Sequence, residues 1–193
     1  MTTRPIARAP LITLALTLAM VGIAFVAPEN TPRFDFLVLD RDAPRWWPWL
    51  SAHFLHTDPQ HLGWNALALL CLGWLGEPQS RLRFALSIIA GMAAVDAWFA
   101  WSNVELRYYC GLSGALNTVL LATLYSLRDS IASRWLLAFA GLVTLKLGWE
   151  WHSGIALLTH TQWPPAVGAH VAGFGAGALL VAAYAWRDRR ASV

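Results

Sequence analysis

Residues 111–127 read Gly111-Leu112-Ser113-Gly114-Ala115-Leu116-Asn117-Thr118-Val119-Leu120-Leu121-Ala122-Thr123-Leu124-Tyr125-Ser126-Leu127. No charged residue interrupts the stretch, which is close to the ~20 apolar residues a helix needs to cross a bilayer. A serine between two glycines stands at its start. Such a run is either a buried core helix or a membrane helix, and the rest of the chain decides. Hydrophobic residues make up 57% of the 193, and charged residues only 13%, about half the share usual in globular chains. Mean hydropathy is +0.47. A soluble protein of this size cannot cover its surface with so few charges. The bilayer is therefore the first partner the composition demands.

Working outward from this run, five more follow the same pattern, giving spans at about Pro10–Ala27, His61–Leu75, Leu82–Trp101, Leu112–Leu127, Trp135–Trp151 and Val167–Trp186. The second and fourth are short, which is tolerated where neighbouring helices shield them from lipid. With Arg4 and Arg8 before it, the first run also has the outline of a signal peptide. Its length and the lack of a clean A-x-A site favour a span. The expectation is an all-α integral membrane protein. It is a six-helix bundle forming a single domain over residues 1–193, without repeat or second domain.

Basic residues orient the spans. Arg4, Arg8, Arg81, Arg83, Arg128, Arg134, Arg187, Arg189 and Arg190 fall on one side, and Arg33, Arg41, Arg45 and Arg107 on the other. The positive-inside rule places the first set, with both termini, in the cytoplasm. The net charge of +3 is thus spent on topology, and no nucleic-acid partner is expected. Cys71 and Cys110 have neither disulfide nor zinc spacing. In the first outer loop, Trp46, Trp47 and Trp49 fit either an interfacial anchor or a partly embedded loop packed beside a site.

Spans two, four and six all run inward, and each begins with unusual chemistry. The second opens with His61 and Asn65, the fourth with Ser113, and the sixth with His170. At about 1.5 Å of rise per residue, these positions share one depth just below the outer surface. Polar groups in a membrane are costly, so such a layer is a site hypothesis. A serine hydroxyl becomes a nucleophile when a base takes its proton, and histidine has the pKa for that task. Gly111 and Gly114 beside Ser113, with Gly173 and Gly177 below His170, allow close helix contact. His61 and Asn65, four apart on one helix face, suit hydrogen bonding to an oxyanion together with the Ser113 amide. Taken singly, the glycine-flanked serine reads as a packing motif and the histidine as an interhelical bond. Their shared depth and complementary roles favour acyl transfer.

Taken together, His56-x4-His61-x3-Asn65, Gly111-Leu112-Ser113-Gly114 and His170-x2-Gly173-x3-Gly177 resemble the rhomboid intramembrane serine proteases. The resemblance covers all six spans and the Trp-rich loop. It implies Ser113 as nucleophile and His170 as general base. It further implies His61 and Asn65, with Gly111 and Leu112 of the motif, at the oxyanion and substrate subsite, and His56 supporting the neighbouring loop. No carboxylate, metal or cofactor is implied, because the family uses a dyad. Where many rhomboids carry an aromatic residue one turn after the serine, this chain has Asn117, so a hydrogen bond from Asn117 is the expected means of orienting His170. The stretch His53-Phe54-Leu55-His56-Thr57-Asp58-Pro59-Gln60-His61, in a compact six-span chain without a soluble domain, is similar to the rhombosortase subgroup. That subgroup is bacterial and processes single-span proteins whose C-terminal tails carry Gly-Gly, a hydrophobic helix and a basic cluster. A site opening to the periplasm from the inner membrane follows from the same resemblance.

Other ionisable residues remain. Lys146 and Glu150, at i and i+4 in the fifth span, are expected to neutralise each other. The alternative is that Glu150 meets the backbone of an entering substrate. Asp96 has no role assigned. His152 and His160 are expected in solvent, and His53, His56 and His61 lack the carboxylate or cysteine partner that a metal site would need. A catalytically inactive client-binding rhomboid relative and a small transporter are the competing functions. The Ser and His argue against the first, and the lack of a two-fold repeat against the second.

Overall fold

The computed structural model describes residues 9–43, 45–102, 105–157 and 163–191. Arg4, Arg8 and His160 lie outside the described residues. In chain order the elements are α1 (Leu11–Val26), α2 (Pro32–Leu37), β1 (Leu39–Asp40), α3 (Pro48–Ser51) continuing into a 3-10 turn (Ala52–Phe54), α4 (Pro59–Gly76), α5 (Arg81–Trp101), β2 (Tyr108–Tyr109), α6 (Ser113–Ser126), α7 (Ser133–Ser153) and α8 (Val167–Ala191).

Flanking side chains set where these helices begin. The Asp58 carboxylate accepts the His61 amide at 2.8 Å, with Pro59 in the first turn, so α4 starts there. The Ser80 hydroxyl accepts from the Arg83 amide and starts α5. At α1 the residue before the helix is Pro10, which offers no cap. Glu77, at the far end of α4, supplies one instead. Its fully buried carboxylate accepts the Ile12 and Thr13 amides at 2.9 Å each and the Thr13 hydroxyl at 2.8 Å. This cap, 64 residues away in sequence, ties α1 to α4.

At the centre is α6. Along its length Gly114, Ala115, Leu116, Thr118, Val119, Ala122 and Thr123 are buried, and it packs on α8, α5 and α4. Small residues set these distances. A Cβ at Gly173 would collide with the carbonyl of Gly114, so the two backbones touch directly. The Thr118 hydroxyl donates to the Gly173 carbonyl across the same seam. Gly177 lies lower on the stripe, against Thr118 and Leu121. This shielding explains how a helix of only 14 residues sits in the middle of the bundle.

The outside is different. On α7 only Leu147 and Glu150 are buried, while Trp135, Leu137, Leu142, Leu145 and Trp151 are exposed. Apolar exteriors of this extent belong against hydrocarbon rather than water. By length and composition, Arg81–Trp101 and Val167–Ala191 are each sufficient to cross a membrane. The architecture is that of an all-α membrane protein. Each apolar run of the sequence lies on one of the six longer helices, with ends differing by up to five residues. Among the described residues the fold departs from all-helical in one place, where β1 pairs antiparallel with β2 through Leu39 and Tyr109, and Asp40 and Tyr108. Two residues per strand carry no alternation that a sequence could display.

The first long loop divides the two readings of its tryptophans. Trp46 is exposed, whereas the Trp47 indole N–H donates to the Phe36 carbonyl at 2.8 Å. The loop's end is inside the protein, with Ala52, His53, Leu55, His56 and Thr57 all buried. His53 Nε2 lies 3.1 Å from Asp96 Oδ1, which gives Asp96 a partner and joins the loop to α5.

Candidate active site

The geometry begins at the turn before α6. Gly111 has φ of 108°, a conformation that side chains disfavour, and a Cβ there would lie 2.7 Å from the His61 ring. Both its polar groups are held. Its N–H donates to the Ala52 carbonyl at 2.9 Å, and its carbonyl accepts the Tyr109 hydroxyl at 2.9 Å. Burial, with Cys110 beside it, raises the Tyr109 pKa, so the hydroxyl stays protonated as a donor. The turn delivers Ser113 as the first residue of α6, behind the fully buried Leu112. Amides of a helix's first turn have no intrahelical acceptor, so the N–H groups at Ser113 point out of the helix end.

Ser113 Oγ lies 2.9 Å from His170 Nε2. The residues are 57 apart in sequence and meet because α6 and α8 approach through Gly114 and Gly173. His61 presents the Cε1–Nε2 edge of its ring to the backbone just before Ser113. Its Nδ1 is 3.3 Å from the Thr57 hydroxyl. Asn65 is buried one turn below, and its amide donates to the His61 carbonyl at 3.1 Å. His56 is buried behind His61, with ring centroids 4.9 Å apart.

Ser113, His170, His61, Asn65 and Asn117 line one cavity of about 540 Å³. Trp64 and Leu67 of α4 contribute apolar wall on one side, and Phe139 and Val143 of α7 contribute it on another. The volume suits several residues of an extended peptide, within the range common for ligand sites. A hydroxyl, an imidazole at hydrogen-bonding distance and side-chain donors around one cleft can form and break an acyl bond.

One expectation needs correction, one alternative falls away, and one contact is new. Asn117 does not orient His170, because its amide donates to the Ser113 carbonyl at 2.9 Å, the i to i−4 bond its own helix offers. Glu150 does not await a substrate backbone. It is fully buried and accepts Lys146 Nζ at 2.6 Å and the Leu157 amide at 2.8 Å. A carboxylate also stands beside the pair, with Glu150 Oε2 3.4 Å from His170 Nδ1. Neutralisation of Glu150 by Lys146 was legible in the sequence, but the contact with His170 was not. Its only signal was the presence of a carboxylate inside a span. Thr57 beside His61 was also missed, although it sits within the quoted loop motif. His53 is turned to Asp96 rather than to His56 and His61, and His152 is exposed.

In comparison with known protein families, residues 43–187 match the Rhomboid domain, a range that contains every site residue above. No curated protein matches the chain.

Proposed function

The chain belongs to the rhomboid family of intramembrane serine proteases, and we propose that Ser113 and His170 are its working dyad. The observation that carries this reading is the 2.9 Å approach of Ser113 Oγ to His170 Nε2 at a cavity. Ser113 Oγ attacks the scissile carbonyl as His170 takes its proton. His61, Asn65 and the Ser113 amide then hold the oxyanion, with Gly111 and Leu112 shaping the subsite and His56 supporting His61. The six longer helices act as six spans, with both termini in the cytoplasm of a bacterial cell and the site opening to the periplasm. That topology rests on the Arg distribution.

Within the family we read the chain as a rhombosortase, on the strength of the His53–His61 stretch. Its substrates would be single-span proteins ending in a Gly-Gly, helix and basic-cluster tail. The chemistry is tested in the purified detergent-solubilised protein. A fluorophosphonate should label the wild type and fail to label Ser113→Ala or His170→Ala, with all three melting alike. Labelling of Ser113→Ala at the wild-type rate would remove Ser113 from the mechanism and leave a client-binding protein as the better reading.

A further inference from the structure

Resting on the Ser113–His170 reading, we infer that Glu150 is a positioning residue for His170, completing a Ser–His–Glu triad inside the membrane domain. For His170 Nε2 to accept the Ser113 proton, its Nδ1 must carry the ring's hydrogen. That hydrogen needs an acceptor, and Glu150 Oε2 is 3.4 Å away. The two carboxylate oxygens are divided between tasks. Oε1 accepts Lys146 Nζ at 2.6 Å and the Leu157 amide at 2.8 Å, and Oε2 is left to the imidazole. Asn117, one turn after the serine, donates its amide to the Ser113 carbonyl, and among the described residues no hydrogen bond joins it to His170.

A fully buried carboxylate is expensive unless paired, and Lys146 supplies the pairing charge. If Lys146 alone were its purpose, the carboxylate would have no need to reach another helix. Gly154, in the left-handed conformation at φ 69°, ends α7 and turns the chain back so that the Leu157 amide clamps Oε1. The clamp fixes the side chain and points Oε2 at α8. The separation is long for a hydrogen bond, as catalytic contacts often are before substrate is bound.

In the reaction, Ser113 Oγ bonds to the carbonyl carbon while its proton moves to His170 Nε2 and the carbonyl pair moves onto oxygen. His170 is then a cation between Ser113 and Glu150. Glu150 remains ionised and stabilises that cation, holding the ring while Nε2 passes the proton to the departing amine nitrogen. The C–N bond breaks as the oxyanion pair returns, and a water, giving its proton to His170, then hydrolyses the Ser113 ester and frees the serine.

The experiment uses the full chain in detergent and reads the second-order rate of fluorophosphonate labelling at Ser113, which reports activation of the serine without a peptide in the site. Glu150→Gln should melt below the wild type, because Lys146 loses its partner, and its folded fraction should label at least about 30-fold more slowly. That is less than the ~10⁴-fold loss when a soluble triad's carboxylate is neutralised, because Lys146 already offsets part of the charge. Glu150→Asp, which keeps the charge, should recover part of the rate. A Glu150→Gln rate within about threefold of wild type would overturn the inference and leave the dyad intact. Labelling of Ser113→Ala would overturn the dyad and this inference together. Should Glu150→Gln fail to fold, the wild type decides. After phosphonylation, a His170 Nδ1 proton far downfield of ordinary imidazole protons supports the inference, and its absence overturns it.

Discussion

The carbonyl oxygen of Gly114 occupies the space that a side chain at Gly173 would fill. One residue before Gly114 is Ser113, and one helical turn before Gly173 is His170. The same backbone contact that joins α6 to α8 therefore sets the distance between hydroxyl and imidazole. Gly173→Val should push the helices apart, at a cost of about 1–3 kcal/mol in stability. Labelling should fall by far more than the lost folded fraction explains, because a 1 Å displacement can cost ~100-fold. Equal losses in folded fraction and labelling would show that the contact supports the fold alone.

Asn65 lines the cavity that holds Ser113, and its amide is tied to the His61 carbonyl at 3.1 Å. A donor that acts on charge present only in the transition state affects turnover rather than binding. Loss of one such donor in soluble enzymes costs roughly 100- to 1000-fold. Asn65→Ala should lose less, about 10- to 100-fold in kcat, since His61 and the Ser113 amide remain. Wild-type kcat with a raised KM would instead make Asn65 a binding residue.

The apolar runs and the gathering of Ser113, His170, His61 and Asn65 at helix starts could be read from the sequence, because span length and charge placement are one-dimensional signals. What escaped was tertiary. Glu77 caps α1 from 64 residues away, and nothing local announces it. Asn117 was expected to bond His170, but its amide goes to the Ser113 carbonyl on its own helix. Glu150 and His170 are 20 residues apart and meet only because the chain reverses at Gly154 and α7 lies against α8. The β1–β2 pair is too short to show a period.

His56 makes stability depend on pH. Burial first, and the adjacent His61 second, push its pKa down to about 3, from 6.5. Between those values the unfolded chain binds a proton that the folded chain excludes, so stability falls as the pH drops below about 6.5 and stops falling near 3. The slope from one such group approaches about 1.4 kcal/mol per pH unit. Denaturant melts at pH 6.5 and pH 4.5 should therefore differ more in the wild type than in His56→Asn. Identical differences would mean that His56 is free to protonate in the folded protein.

The substrate prediction follows from where the serine sits. Ser113 begins its helix, so a scissile bond reaching it must lie near the end of a substrate helix, with the backbone extended. Helical residues hide their carbonyls in i to i−4 bonds, so cleavage requires local unwinding. Glycine disfavours helix by about 1 kcal/mol relative to alanine, and a Gly-Gly pair at the helix start lowers that cost by about 2 kcal/mol. A basic cluster after the substrate helix would hold its C-terminus in the cytoplasm, by the same positive-inside rule from which this chain's orientation is proposed. Co-expression with a secreted reporter ending in Gly-Gly, one apolar helix and a basic cluster should release the reporter at the outer face. Changing Gly-Gly to Leu-Leu should reduce release by at least about tenfold, since 2 kcal/mol corresponds to a factor of about 30. Equal release from both tails would rule out the rhombosortase specificity, and a general rhomboid protease with other single-span substrates would be the reading that survives.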